Sequence, residues 1–137
     1  MSLFKIFDTA ASGMSAQSLR LNLVSSNMAN ADAVSSSIEQ TYRARQPVFQ
    51  TLLDQTNPDA ASTGVRMAGV VESQAPLIQE FAPEHPLANE EGYIFRPNVN
   101  MVEEMANMLS ASRSYQGNTE VANAAKQLLL ATLRMGQ

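Results

Sequence analysis

The sequence lacks cysteine and tryptophan and has few other aromatic residues. Without cysteine, disulfide bonds, thiol catalysis and cysteine-ligated zinc sites are excluded. Five Phe and three Tyr among 137 residues are little material for a tight, self-contained core. No stretch approaches the roughly 20 apolar residues that a spanning helix needs, so we do not expect a membrane-embedded protein. The net charge of −4 argues against nucleic acid as a partner, because phosphates would be repelled.

An ordinary secretory signal is also missing from the amino terminus. After Lys5, both Asp8 and Ser12 interrupt the stretch that would have to form the apolar core of a signal. On composition alone, the expected location is therefore the cytoplasm.

Proline is absent from both ends of the chain, because all six prolines fall between residues 47 and 97. Acidity is concentrated in the same region, where residues 32–97 carry nine acids against four bases. We therefore predict one structural unit with three segments: a helix in 1–31, a turn-rich acidic middle with short strands in 32–97, and a helix in 98–137.

The first segment has a heptad pattern in which eight of nine seam positions are apolar. This periodicity predicts a helix from Leu3 to Ala31, with Ser2 as its N-cap. Gly13 is an unfavourable interior position that costs about 1 kcal/mol relative to Ala.

The second helix has a clear start signal. Pro97 discourages helix before it, and Asn100 and Glu103 stand at the spacing of a reciprocal cap. We predict a helix from Met101 to Met135 that ends at Gly136. The start motif comprises Pro97, Asn98, Val99, Asn100 and Glu103.

Two apolar stripes run along this second helix. One is a heptad seam that includes Met101, Met105, Tyr115 and Leu133, and a second stripe is displaced from it. The consecutive residues Leu128–Leu130 cover about 200° of the helix surface, which is more than one partner helix can bury. The second helix is therefore expected to have neighbours on two sides.

In the middle segment, alternating residues from Val65 to Val71 and the β-prone stretch Tyr93–Phe95 predict short strands. The predicted fold class is mainly α and elongated: two long terminal helices pair as a coiled coil, with a short, irregular, β-containing acidic middle. A 35-residue helix is roughly 50 Å long, whereas a compact globule of this size is roughly 37 Å across.

Pairing of the two helices leaves apolar surface facing outward, and we predict that assembly with neighbouring subunits covers it. The predicted assembly interface comprises Leu3, Phe7, Met14, Leu21, Val24, Met28, Met105, Leu109, Tyr115, Leu128, Leu129, Leu130 and Leu133.

No catalytic, cofactor or metal site is predicted. His85 is the only histidine and has no cysteine or second histidine to complete a metal site. Neighbouring acids such as Glu90 and Glu91 point apart, which disfavours a catalytic pair. Met101, Met105 and Met108 could form an adaptable groove. A soluble helical binding module or chaperone with a methionine-rich groove is therefore the alternative function.

Several short motifs stand at both ends of the chain. The amino-terminal motifs are Ser12–Gln17, Arg20–Asn22 and Ser26–Ala31, and the carboxy-terminal motifs are Gly92–Asn100, Glu103–Met105, Ser110–Tyr115 and Thr132–Gly136. Together these motifs resemble those of bacterial flagellar axial proteins, the rod and hook group, and the resemblance spans nearly the whole chain. The short length and the segments Tyr42–Arg45 and Glu72–Pro76 are most similar to proximal rod members of this group.

This resemblance implies a structural subunit and no enzyme. Proteins of this group polymerise with copies of themselves and with sister rod proteins into a helical drive shaft that crosses the periplasm and transmits torque from motor to hook. They leave the cell through the flagellar export apparatus without a cleaved signal, which would change the expected location to the periplasmic basal body. Phe49 and Leu53 resemble an export-gate recognition element, with a buried strand as the alternative interpretation.

Overall fold

A computed structural model describes residues 3–52 and 64–136. Two helices flank four strands, and the predicted Ser2 cap and Leu53 lie outside the described residues. The elements in chain order are α1 (Leu3–Ala29), β1 (Arg45–Leu52), β2 (Gly64–Glu72), β3 (Ile78–Phe81), β4 (Tyr93–Arg96) and α2 (Met101–Met135). The prediction of two long terminal helices around a β-containing middle is confirmed. No helix within the described ranges is both long and apolar enough to cross a membrane.

α2 has the predicted bounds. At its start, the Asn100 side chain accepts hydrogen bonds from the backbone amides of Val102 (3.1 Å) and Glu103 (3.4 Å). These bonds satisfy two of the amide donors that a helix start leaves without partners. At its end, the Gly136 amide donates to the Thr132 carbonyl at 3.2 Å.

α1 ends two residues earlier than predicted, at Ala29 and not at Ala31. The Asn30 amide is shared between the carbonyls of Ser26 (3.1 Å) and Asn27 (3.2 Å), and the Ala31 amide donates to the Met28 carbonyl. Because bonds to the residue three positions back tighten the last turn, the chain leaves the α-helix there.

The strands form two separate two-stranded antiparallel sheets, β1–β2 and β3–β4. β2 and β4 contain the two predicted strands, so those predictions are confirmed. The register of β1 against β2 shifts between Val48 and Phe49. β1 includes Phe49, for which a buried strand was one interpretation; the strand is present, but Phe49 is exposed.

The helices pack against each other in antiparallel orientation, since Asn27 contacts Glu104 and Met14 contacts Thr119. The side chains buried between them are small. On α1 they include Ala10 and Ala16, and on α2 they are mainly Ala111, Ala122 and Ala125.

The predicted heptad seam of α2 forms only part of the contact with α1. Its member Ala122 is buried and its member Thr119 contacts Met14, whereas Met101, Met105, Tyr115 and Leu133 are exposed. The physical reason is close approach of the helices, since a Cβ added at Gly13 would lie 2.7 Å from the Asn118 amide nitrogen. Small side chains fit between axes that are this close, and long ones do not.

The β1–β2 hairpin lies along α1 and is attached at Ser12. The Ser12 hydroxyl accepts a hydrogen bond from the Val65 amide (3.1 Å) and donates to the Thr9 carbonyl (2.8 Å). The buried Gly64 adjoins this hydroxyl, and a Cβ there would lie 2.6 Å from the Ser12 oxygen. The motif Ser12–Gly13 thus serves two contacts, one with the hairpin and one with α2.

Candidate assembly interface

One end of the helix pair is closed by the buried side chain of Asn27, which is 1% exposed. Its amide nitrogen donates to the Arg45 carbonyl (2.9 Å) and to a Glu104 carboxylate oxygen (3.2 Å). Its amide oxygen accepts from the Tyr42 hydroxyl (2.8 Å) and the Arg45 amide (2.9 Å). All four hydrogen-bonding positions of the side chain are occupied. Asn27 therefore joins α1, α2, β1 and the loop before β1 at one point.

Glu104 brings a carboxylate into this junction, where it is only 8% exposed. Acidic side chains are rarely this buried without a partner, and here the partner is the Asn27 amide. One turn further along α2, the Arg20 guanidinium donates to the Asn107 side-chain oxygen at 3.1 Å. Polar contacts therefore fix the register of α1 against α2 at this end.

The predicted helix-start motif forms a second junction, between α2 and the middle segment. Pro97 is fully buried. The Asn98 side chain accepts from the Ala44 amide (2.8 Å) and donates to the carbonyls of Ser73 (3.3 Å) and Ala75 (2.9 Å). Asn98 thereby ties the residue before β1 and the segment after β2 to the start of α2.

Charged residues of the middle segment pair with one another. Arg96 lies 2.9 Å from Asp32 and 3.6 Å from Glu80, and Arg45 lies 3.7 Å from Glu72. The Arg43 guanidinium donates to the Ser73 carbonyl at 3.2 Å. Arg43 and Arg45, the basic residues near Tyr42, thus make their contacts within the chain.

The opposite end of the helix pair is open and apolar. A cleft of about 470 Å³ lies between the first turns of α1 and the last third of α2. It is lined by Leu3, Phe4, Phe7, Ala125, Lys126 and Leu129. Phe4 is 67% exposed, so even an aromatic ring at this end is uncovered within the chain.

The predicted interface residues separate into three groups by exposure. Val24 is buried within the chain, so it belongs to the contact between the two helices and is unavailable to a neighbour. Leu3, Met14, Leu21, Met28 and Leu129 are half-buried. The exposed members are Phe7, Met105, Leu109, Tyr115, Leu128, Leu130 and Leu133.

Sequence reasoning missed Asn27, Glu104 and the joining role of Asn98. A signal for Asn27 was present, because an amide side chain stands among the apolar seam residues Val24 and Met28. A polar residue at such a buried position needs specific hydrogen-bond partners. Those partners are distant in sequence, however, so the periodic pattern could not identify them.

Elsewhere among the described residues, the one histidine lies in a turn. The His85 ring nitrogen Nδ1 accepts a hydrogen bond from the Leu87 amide at 3.1 Å within a turn. Across residues 3–52 and 64–136, no three His, Asp or Glu side chains are grouped as metal ligands would be. The open-end cleft is lined by none of Met101, Met105 and Met108, which the alternative function would need in a groove.

Exposed apolar surface at one end of the helix pair marks a site at which another protein binds. Comparison with known proteins agrees. Residues 7–35 match the family described as flagella basal body rod protein, and residues 90–135 match the flagellar basal body rod FlgEFG protein C-terminal family.

Full-length relatives give the same result. The chain is 51% identical over 137 residues to the flagellar basal-body rod protein FlgC of Escherichia coli O157:H7, and 50% identical to that of Salmonella typhimurium, with complete coverage of both chains. It is 32% identical to FlgC of Borreliella burgdorferi, covering 100% of this chain and 99% of the relative. The chain belongs to the flagellar basal-body rod protein family, whose members are structural subunits of the basal body and not enzymes.

Proposed function

We propose that this protein is a subunit of the proximal rod, where it assembles helically with copies of itself and with sister rod proteins into the shaft that carries torque from motor to hook. Residues 1–31 and 98–137 form the assembly core in this proposal, and residues 32–97 form the middle segment outside it. The observation that carries the proposal is the exposed apolar surface of the helix pair, from Phe4 and Phe7 to Leu128, Leu130 and Leu133. Exposed apolar patches of this kind mark surfaces that bind other proteins.

Torque transfer requires a tube that resists twisting. α2 alone is about 52 Å long at 1.5 Å per residue, so an elongated coiled coil of α1 and α2 would span several neighbours in a tube. Burial that is distributed over several subunits resists rotation of any one of them. The Leu128–Leu130 cluster supports this arrangement, because Leu128 and Leu130 are both exposed after α1 has covered part of Leu129.

The relatives' membership of the basal body supports a periplasmic location for the assembled shaft, reached by flagellar export without a cleaved signal. In this proposal, Phe49 and Leu53 form the element that the export gate recognises. The support is the aromatic-to-hydrophobic spacing in the sequence, since an export gate reads the chain before it folds. No nucleic acid, cofactor or membrane insertion enters the proposal.

Leu129→Asp tests the assembly core. We expect the variant to be made and exported at the normal level in a flagellated host lacking its own copy of the gene, while rod completion and swimming are lost. The reason is that a carboxylate would enter a surface that neighbours desolvate. Asn123→Asp, at an exposed polar position on the same helix, is the matched control and should swim normally. Normal swimming of Leu129→Asp would contradict the proposal.

A further inference from the structure

We infer that Glu80 keeps the open edge of β3 from pairing with β3 of a second copy of this chain. The inference goes beyond the proposed function, because it concerns a contact between copies that a side chain of the middle segment prevents. Three observations carry it: the backbone hydrogen bonds of the β3–β4 sheet, the exposure of β3 and the charges around Glu80.

The outer edge of β4 is closed by hydrogen bonds. Phe95 exchanges two backbone bonds with Ser35, at 3.0 and 2.9 Å. The Tyr93 amide donates to the Asn89 side-chain oxygen (2.8 Å), and the Tyr93 carbonyl accepts from the Asn89 amide (2.9 Å). The backbone groups of Tyr93 and Phe95 are therefore used on the side of β4 that faces away from β3.

The outer edge of β3 is open. In an antiparallel pair, opposite residues alternate between bonding each other and facing outward. Gln79 lies opposite Phe95 and Phe81 lies opposite Tyr93, so the amides and carbonyls of Gln79 and Phe81 also point outward. Within residues 3–52 and 64–136, these backbone groups have no hydrogen-bond partner, and β3 contacts no helix or strand other than β4.

All four side chains of β3 are exposed as well. Ile78 and Phe81 have 53% and 63% of their surfaces exposed. A strand edge with free backbone groups and apolar side chains is a template for pairing with another strand. Every copy of the chain carries the same edge, so β3 of a second copy is a pairing partner that has to be excluded.

One antiparallel register uses all the outward backbone groups of both β3 strands. It places Gln79 of each copy opposite Phe81 of the other, and it therefore places Glu80 opposite Glu80. A shift by two residues leaves only one pair within the strands, either Gln79 with Gln79 or Phe81 with Phe81. The best-bonded register is thus the one in which two glutamates meet.

This meeting of carboxylates is unfavourable. The two Glu80 residues would form a non-hydrogen-bonded pair, in which Cα atoms are about 4.5 Å apart and side chains are closest. Like charges directly opposite each other destabilise a pair of strands. Charged side chains on edge strands protect natural sheets in this way.

The charges around Glu80 do not remove the repulsion. The Arg96 guanidinium lies 3.6 Å from Glu80 and 2.9 Å from Asp32. One guanidinium is shared by two carboxylates, so each copy brings an uncompensated negative charge to the contact. The Glu80 and Arg96 side chains are also 52% and 37% exposed, and water weakens an ion pair of this kind.

Disulfide trapping tests the inference, and the natural chain contributes no background because it has no cysteine. Gln79→Cys and Phe81→Cys are made as two chains of distinguishable mass, since these residues would lie opposite each other in the paired strands. Both chains also carry Glu80→Gln, which removes the charge and keeps the length of the side chain. The control pair carries Glu90→Gln instead, at an exposed position outside β3, so the two pairs have the same net charge.

With purified chains at low salt, we expect the mixed disulfide of the Glu80→Gln pair to exceed that of the control pair by at least about fivefold. Added salt should raise the yield of the control pair and leave that of the Glu80→Gln pair nearly unchanged, because salt screens exposed charges. Equal yields at low salt, or a control yield that does not respond to salt, would overturn the inference. Neither result would touch the proposed rod function, which Leu129→Asp tests separately.

A second measurement covers the case in which the cysteine substitutions disturb β3. Glu80→Thr keeps Gln79 and Phe81 and replaces the charge by a residue that favours strands. At high protein concentration, the Gln79 and Phe81 amides of this variant should exchange at least about threefold more slowly than at low concentration.

In the natural chain, the exchange rates of the same two amides should not depend on concentration. Association through the helices would not protect these amides, since β3 contacts neither helix. Rates that stay unchanged in the Glu80→Thr variant would overturn the inference, and so would protection of these amides in the natural chain.

Discussion

The two ends of the α1–α2 pair satisfy their side chains in different ways. At the Asn27 end, donors and acceptors of fixed direction meet one another, and every hydrogen-bonding position of the central amide is used. At the Leu3 end, apolar side chains line a cleft and remain exposed. Hydrogen bonds depend on angle and distance, whereas apolar burial does not depend on direction. The first end thus sets the geometry of the subunit, and the second leaves surface for its neighbours.

The same contrast separates the contacts that attach the middle segment to the helices from the apolar surface of the helices. The hairpin is attached to α1 through Ser12 and Asn27, and the approach to α2 is attached through Asn98. All three attachments are polar and lie within one chain. The exposed apolar residues proposed for assembly make none of these contacts, so the polar attachments of the middle segment and the exposed assembly surface use different residues.

The largest effect on stability is expected from Asn27→Ala. It leaves the Glu104 carboxylate, the Tyr42 hydroxyl and both backbone groups of Arg45 without their shared partner, and the free energy of unfolding should fall by about 3 kcal/mol. Urea unfolding of the full chain measures this. Asn123→Ala, an exposed asparagine of α2, should change the midpoint little. Equal effects of the two substitutions would contradict the polar junction.

Asn98→Ala should have the next largest effect, a loss of about 2 kcal/mol, because the Ala44 amide loses its partner and the carbonyls of Ser73 and Ala75 each lose one of their two hydrogen bonds. Hydrogen exchange gives a local readout. The Ala44 amide should exchange at least about tenfold faster, while amides in the middle of α2 keep their rates. An unchanged Ala44 rate would mean that Asn98 does not hold this segment.

A smaller effect on the free energy of unfolding is expected from Gly13→Ala, and its size depends on Asn118. Gly13→Ala alone should be nearly neutral, because a gain of about 1 kcal/mol in helix propensity is offset by displacement of the Asn118 side chain. In an Asn118→Ala background the gain should appear almost in full. A double-mutant cycle measures the difference, and identical effects of Gly13→Ala in both backgrounds would rule out the close approach.

The smallest effect on stability is expected from Leu133→Ser, at the open end. Since Leu133 is exposed, the free energy of unfolding should change by less than about 0.5 kcal/mol. Incorporation into the basal body, measured by immunoblotting of isolated rods, should nevertheless fall. A stable variant that is incorporated at the normal level would show that this end needs no neighbour.

The sequence predicted the elements better than their contacts. The capping residues of α2 and the distribution of proline are local, so the bounds Met101–Met135 could be read without a structure. The predicted end of α1 is two residues late, because neither the bifurcated bond from the Asn30 amide nor the tight bond from the Ala31 amide to the Met28 carbonyl has a distinct sequence pattern. β3 was missed because four exposed residues have no alternating pattern to detect.

Of the candidate site, the sequence identified the apolar residues and the start motif but not the junctions. Periodicity marks Leu130 and Leu133 as apolar on one helix face, and it cannot say whether the partner of that face belongs to the same chain. The contact includes Ala122 of the predicted seam but also Ala111 and Ala125 outside it, since axes that approach at Gly13 favour the smallest side chains.

The amino-acid sequence by itself determined that both ends are helical, that the middle is acidic and contains short strands, and that more apolar surface exists than two helices can bury. These properties follow from local preferences and from period. Only the tertiary structure decided which face of α2 meets α1, that Asn27 and Asn98 join segments distant in the chain, and that one end of the helix pair stays open. Those decisions depend on distances between residues far apart in sequence, which no local pattern contains.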